Sequence, residues 1–235
     1  MSSLLTRLVQ HYRGFSHQQT LARLKSLGFV PSVVYDIGAH KGKWTGMARG
    51  IYPEAQYLLF EANSDNERAL QDTGERYCIA ALAAEDAVQR EFYLPRYAVS
   101  TGASFYKERT VHYTDDKLRI ERLQTQRLDS LCARQGLAAP DLLKLDVQGA
   151  ELDVLTGAGD LLANCGAIIA ELSFLAGNEG APLAPSVMVG IERLGFKCVD
   201  ICKVRRTKIG AVGQIDVLFA NAALYEAFRA PAGLL

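Results

Sequence analysis

The stretch from Val33 to Trp44, VVYDIGAHKGKW, constrains the fold more than any other. Val33, Val34 and Tyr35 form a short apolar run that reads as a buried strand. Asp36 closes it, Gly38 and Gly42 open the backbone, and a helical pattern begins near Lys43. A strand, an acid, a glycine-rich turn and a helix in this order make a ligand cradle. Glycine has no Cβ, so a ligand can lie against the main chain and accept from helix N-terminal N–H groups. Dinucleotide sites use G-x-G-x-x-G to admit a pyrophosphate. Here Ala39 and His40 follow Gly38 and the spacing is D-x-G-x-x-x-G, a wider loop whose acid can face a ligand ammonium. The alternative is an ordinary strand-to-helix turn.

The 235 residues suit one large α/β domain, and a hydrophobic content of 49% supplies its core. Basic and acidic side chains balance at 26 each, so net charge gives no reason to expect nucleic acid as a partner. No signal peptide or membrane span is expected: the longest apolar stretch, Leu161 to Leu175, is broken by Asn164, Gly166 and Glu171. Five scattered cysteines fit reduced thiols in the cytoplasm. Residues 1–30 read as a helical extension in two pieces, with Leu4, Leu5, Leu8, Val9 and Tyr12 at helical spacing, then Leu21, Leu24 and Leu27. Arg7, Arg13, Arg23 and Lys25 lie there, with no acid before Asp36. Either this segment packs on the sheet or covers the site, or its basic face makes peripheral contact with an anionic membrane or a partner.

Beyond the first helix, Tyr57 to Phe60 reads as the second strand, and Glu61 at its end suits the two hydroxyls of a ribose. Ala62 follows it. Tyr77 to Leu82 reads as one strand, with Ala81 and Leu82 in the candidate cofactor wall and an adenine expected near its exit, Ala83 to Asp86. A loop and strand insertion occupies about 86–127. Its polar stretch from Ser100 to His112 has the length and composition of a binding loop, expected to cover an acceptor together with the N-terminal helices. Leu142 to Val147 is a further strand, which sends Lys144 and Asp146 to one face. Such charges near a strand's carboxyl end are either functional or an ion pair, of Lys144 with Asp146 or Glu151, that only fixes the strand. Ala167 to Leu172 carries Glu171 near its end. Lys197 to Val204 and Ile215 to Ala220 follow as a hairpin, so the last strand is expected to run antiparallel to its neighbours.

Taken together, VVYDIGAHKGKW, LLFEAN, RLDSL, DLLKLDVQGAELDVLTGA and AIIAELSF resemble the FkbM family of methyltransferases that use S-adenosylmethionine (SAM). The resemblance covers about residues 28–221. Its most distinctive mark is K-x-D-x-x-G-x-E, carried by Lys144, Asp146, Gly149 and Glu151. His40 stands where asparagine is commoner, Gln148 where glutamate is frequent, and Ala62-Asn63 where a proline usually follows the acid; none touches the cofactor logic, while His40 and Gln148 could alter the acceptor side. The resemblance implies a Rossmann-like, doubly wound, mostly parallel seven-stranded sheet with an antiparallel C-terminal edge hairpin, over about 31–235. It also implies O-methylation of a hydroxyl on a small molecule or glycan: a sugar, a polysaccharide or glycolipid precursor, or a polyketide-like product.

The expected cofactor contacts are Asp36, Gly38, Ala39, His40, Gly42, Glu61, Ala62, Ala81, Leu82 and Asp146. An alcohol is a weak nucleophile at neutral pH, so a base is expected. Asp146 is the first candidate for base or positioning, then Glu171, then His40, with Lys144 orienting Asp146 or steadying an oxyanion. A divalent metal on Asp146 and Glu171 is a lesser alternative, because no histidine-rich ligand spacing supports it. The rival readings are a SAM-binding protein without catalysis and a nicotinamide-dependent oxidoreductase. The identity of the acceptor and association into a homo-oligomer are left open.

Overall fold

The computed structural model describes residues 15–96, 102–109, 114 and 117–230. The expectations placed on the helix from Leu4 to Tyr12, on Arg7 and Arg13, and on Ser100, Thr101 and His112 lie outside the described residues. In chain order the elements are α1 (His17–Ser26), β1 (Val33–Ile37), α2 (Lys43–Arg49), β2 (Gln56–Glu61), α3 (Glu67–Gln71), β3 (Arg76–Ile79), β4 (Ala81–Leu82), β5 (Gln89–Pro95) and β6 (Leu118–Gln126). Then follow α4 (Leu128–Gln135), β7 (Leu142–Leu145), α5 (Glu151–Ala158), β8 (Ala167–Ser173), α6 (Ala184–Arg193), β9 (Lys197–Arg206), β10 (Val212–Ala220) and α7 (Ala222–Arg229).

Seven strands form one sheet in the order β3-β2-β1-β7-β8-β10-β9. The first five run parallel, and β10 is antiparallel to both β8 and β9. β1, β7 and β8 are buried almost throughout and are apolar except for one charged residue each, Asp36, Lys144 and Glu171, because a parallel sheet has no solvated side. One core cluster gathers Tyr35, Phe60, Leu143 and Ile168 under α4, α5 and α6. The other gathers Val34, Leu59, Leu142 and Ile169 under α1, α2 and α7. From β1 the chain winds outward to β3, then returns to place β7 against the other edge of β1. This reversal is where open α/β sheets leave a crevice beyond the strands' carboxyl ends.

The apolar run from Tyr77 to Leu82 is not one strand. It divides at Ala80 because β6 captures Ala81 and Leu82, pairing them with Thr125 and Gln126 in a second sheet of order β4-β6-β5. The strand expected to reach Val147 ends at Leu145, where the chain turns toward α5.

The described part of the N-terminal segment is a core element. Ser16 caps α1 by accepting from the Gln19 N–H, and Leu21 and Leu24 are both 0% exposed. Arg23 pairs with Asp200 on β9, and the Lys25 ammonium donates to the Ile51 carbonyl at 2.7 Å. These two cations are therefore committed within the fold. No helix among the described residues is long and apolar enough to cross a membrane. Leu24→Ala is expected to cost ~2–5 kcal/mol of unfolding free energy, as for a buried leucine that leaves a cavity. Urea denaturation checks this, and a loss below ~0.5 kcal/mol would mark α1 as a detachable appendage.

Candidate active site

The carboxyl ends of β1, β2, β7 and β8 open into a cavity of about 1040 Å³, whose walls include Gly38, Glu61, Leu82, Asp146 and Glu171. That is just above the usual range for a pocket holding one drug-sized ligand. The loop after β1 is held by the Gly38 and Ala39 N–H groups, which both donate to the Phe60 carbonyl, at 2.9 and 3.0 Å. A Cβ on Gly38 would lie 1.9 Å from the Asp146 carbonyl oxygen, so glycine is required where the β1 and β7 exits cross. At Gly42 φ is +71°, and a Cβ would meet the Thr73 side chain at 2.6 Å. Gly42 is thus needed for packing and backbone conformation, and it does not line the cavity.

Two further expected cofactor contacts are also displaced from the wall. Asp36 is 0% exposed: its carboxylate accepts from the Thr45 hydroxyl at 2.8 Å and lies 3.2 Å from the Lys144 ammonium. It sits beneath the loop and anchors it. Ala81 turns away because strand alternation sends Ala80 and Leu82 to the cavity side instead. The exit at Ala83 to Asp86 is taken up by the β6–α4 connection: Ala84 accepts from the Arg127 guanidinium and Asp86 from the Ser130 hydroxyl. Ala39, His40, Ala62 and Leu82 do line the cavity, as does Glu61. Glu61 accepts the His40 N–H at 2.7 Å and the Asn63 N–H at 2.8 Å. Burial pushes its carboxyl up, and these two N–H groups oppose the shift.

The sequence expectation of a Lys144 and Asp146 pair holds at 3.6 Å, but Asp36 on the neighbouring strand is closer. Burial opposes the Lys144 charge, yet Asp36, Asp146 and Glu171 hold the ammonium above its ordinary value. Glu151 does not meet Lys144. It closes the turn after β7 by accepting from the Val147 and Gly149 N–H groups at 3.3 and 3.2 Å, and burial pushes it up to about 7. The K-x-D-x-x-G-x-E motif is therefore two locks, one onto β1 and one onto its own turn.

Asp146 and Glu171 are joined by Gln148, which the sequence marked as able to alter the acceptor side but did not place among the catalytic or cofactor contacts. The Gln148 amide donates to both carboxylates, at 2.7 Å each. Gln214 donates to Glu171 as well, at 3.0 Å. The two acids differ in proton affinity. Burial opposes the Asp146 charge, but Lys144 and the Gln148 amide hold its carboxyl below the usual range. Glu171 is pushed up to about 7 by burial and by the charges of Asp146 and Asp216. His40 is lowered by burial and by Lys41 and Lys43, which favours its neutral imidazole. Gln148 and His40 both adopt φ of +52°, a conformation rare outside glycine, and both face the cavity. The sequence did carry a signal here, since these are two of the positions where the chain departs from the family pattern.

Trp44 also lines the cavity. Its indole N–H donates to His17 Nδ1 at 3.0 Å, which leaves His17 Nε2 to donate to Asp216 at 2.5 Å. The described part of the 102–109 loop forms a further wall through Gly102, Ala103, Phe105 and Glu108, with the Ser104 hydroxyl donating to the Gln148 carbonyl at 2.8 Å. α1 reaches the site through His17, which bonds both Trp44 and Asp216, and supplies no residue to the cavity wall. No group of three or more His, Cys, Asp or Glu side chains placed to hold a metal ion occurs among the described residues.

The family model described as the methyltransferase FkbM domain matches residues 36–198. The chain belongs to the FkbM methyltransferase family. Among relatives of this FkbM protein, the 2-O-methyltransferase NoeI of Sinorhizobium fredii is 43% identical over 169 residues, covering 67% of this chain and 68% of NoeI. The AMB antimetabolite synthetase AmbE of Pseudomonas aeruginosa is 29% identical over 201 residues, covering 71% of this chain but only 10% of AmbE. The N-methyltransferase NodS of Bradyrhizobium japonicum, solved with S-adenosylhomocysteine, aligns at a TM-score of 0.49 and 12% identity over 88% of this chain and 86% of its own.

Lys144→Met would leave the Asp36 carboxylate buried without its cation. The expected cost is ~3–5 kcal/mol, because a buried charge loses its compensation. Thermal and urea melts check it. A loss below ~1 kcal/mol would show that Thr45 alone satisfies Asp36.

Proposed function

We propose that this FkbM methyltransferase uses SAM to methylate a hydroxyl of a small molecule or glycan. One observation carries the reading: a single cavity joins a ribose-suited acid and apolar wall at β2 and β4 to two carboxyls of unequal proton affinity at β7 and β8. The donor set fits SAM. Glu61 keeps lone pairs for the ribose hydroxyls, Ala80 and Leu82 offer an apolar wall to the adenine, and ionised Asp146 complements the cationic end. SAM supplies an electrophilic methyl group. The description of NoeI as a 2-O-methyltransferase agrees with an oxygen acceptor.

The protein's own contribution is alignment and one proton. Asp146, held ionised by Lys144, complements the cationic end of the cofactor, and the acceptor hydroxyl donates its single hydrogen to Glu171. Glu171 takes the proton, since a carboxyl near 7 is a stronger base at neutral pH than one held low. The sequence ranking put Asp146 first as base, whereas the surroundings of the two acids favour Glu171. Gln148 fixes their separation. Holding the hydroxyl in line and excluding water can contribute ~7–11 kcal/mol of barrier lowering.

Two experiments test this reading. Trp44 is the only tryptophan and lines the cavity, so its fluorescence should change on titration with SAM. Glu61→Gln is expected to weaken that binding tenfold or more, since charge-assisted hydrogen bonds contribute ~1.5–3 kcal/mol. Unchanged affinity would remove Glu61 from the ribose site.

Glu171→Gln is expected to lower turnover by ~10²–10⁴-fold, and wild-type turnover should rise with pH through about 7. Stability should move the other way. The folded-state value of Glu171 is raised, so its contribution is full in acid and is lost as pH climbs through about 7. At pH 8 the glutamine variant should therefore melt no lower than wild type. Asp146 is held low, so its contribution is present at neutral pH, and Asp146→Asn should melt lower. Full turnover in Glu171→Gln would rule out Glu171 as the base. A wild-type protein that binds SAM yet labels no product in cell extract would favour binding without catalysis.

A further inference from the structure

The chain is electrically balanced, but its charges are unevenly placed around the cavity. The end of β9 and the turn into β10 contribute Arg205, Arg206 and Lys208 to the wall, and no acid occurs between Asp200 and Asp216. Arg205 reaches inward, 3.7 Å from Glu171, and donates to the Gln214 side chain at 2.6 Å. Arg206 donates at 2.9 Å to the carbonyl of Gly210 in its own turn, and no acid neutralises it among the described residues. Lys208 has no ion-pair partner among the described residues. Both are exposed at the mouth. Three cations within four residues, facing a cavity rather than bulk solvent alone, raise the local concentration of anions there.

Position assigns this anion to the acceptor. The cofactor reading occupies the β1, β2 and β4 side, where Lys41 and Lys43 stand ready for a methionine carboxylate. The basic turn lies beyond β8, past Asp146 and Glu171. We propose that the methyl acceptor carries a phosphate or diphosphate group, and that Arg206 and Lys208 bind it while Arg205 spans from it to Glu171. A guanidinium presents two parallel donors to phosphate oxygens, and an ammonium adds a point charge. A group of two or more negative charges matches this set better than a single carboxylate. The inference rests on the proposed function, since it names the class of molecule whose hydroxyl is methylated.

Calorimetric titration tests it. The protein is saturated with S-adenosylhomocysteine and titrated with sodium pyrophosphate at low ionic strength. Binding is expected for the wild type and should weaken at least tenfold in the double variant R206Q/K208Q, whose affinity for S-adenosylhomocysteine stays within twofold and so certifies its fold. Absent binding, or equal binding by wild type and variant, would overturn the proposal and leave the turn as charge protecting a sheet edge. Sedimentation with vesicles containing an anionic phospholipid, undisturbed by pyrophosphate, would also overturn it in favour of a lipid surface. If S-adenosylhomocysteine does not bind but pyrophosphate binds and the variant loses it, the cofactor reading fails and the anion site stands.

Discussion

A charge pair at the centre of the sheet governs the arrangement around it. Lys144 on β7 and Asp36 on β1 meet between adjacent parallel strands, where the chain reverses its winding direction and water is excluded. Asp36 also holds Thr45 in α2, and the Lys144 ammonium donates to the Gly38 carbonyl at 3.3 Å. One cation therefore fastens the glycine loop, the helix that follows it and the turn carrying Asp146. Buried pairs of this kind are often replaceable by apolar residues at no loss of stability. What the pair supplies is register: it sets where the β1 loop stands relative to the β7 acid, hence where a cofactor stands relative to an acceptor.

That dependence separates what the sequence disclosed from what it withheld. Strand identity was legible because β1, β2, β7 and β8 are mostly apolar stretches, each with one charged side chain at or near its carboxyl end. The reversed last strand was legible too, since two strand-like stretches follow one another without a helix. The partner of Lys144 was not. Its neighbours in the chain, Asp146 and Glu151, were the natural candidates, while the closer acid comes from a strand more than a hundred residues earlier. The break at Ala80 was hidden for a similar reason. Nothing local interrupts the apolar run, and a distant strand, β6, captures its last two residues.

The candidate site shows the same division. Glu61, Asp146 and Glu171 could be picked out as acids at strand ends, because a carboxylate there is costly without a purpose. Their ranking depended on surroundings that spacing does not reveal. Asp146 stands beside a lysine, whereas Glu171 is 5% exposed and faces two other acids. Gln148 stood out in the sequence only as a departure able to alter the acceptor side. Its backbone, held at a positive φ, is what turns its amide toward both carboxyls.

The place of β10 has a consequence for the order in which the molecule is made. β9 pairs only with β10 among the described residues, and β10 alone connects it to β8. A ribosome therefore delivers β9 before the strand that can receive it. The β1–β2–β3 side and the β7–β8 pair can assemble while the final hairpin is still being synthesised. Gln214, which donates to Glu171, arrives with β10. The half of the molecule assigned to the cofactor can thus take shape first, and the half assigned to the acceptor is completed only when β10 enters between β8 and β9.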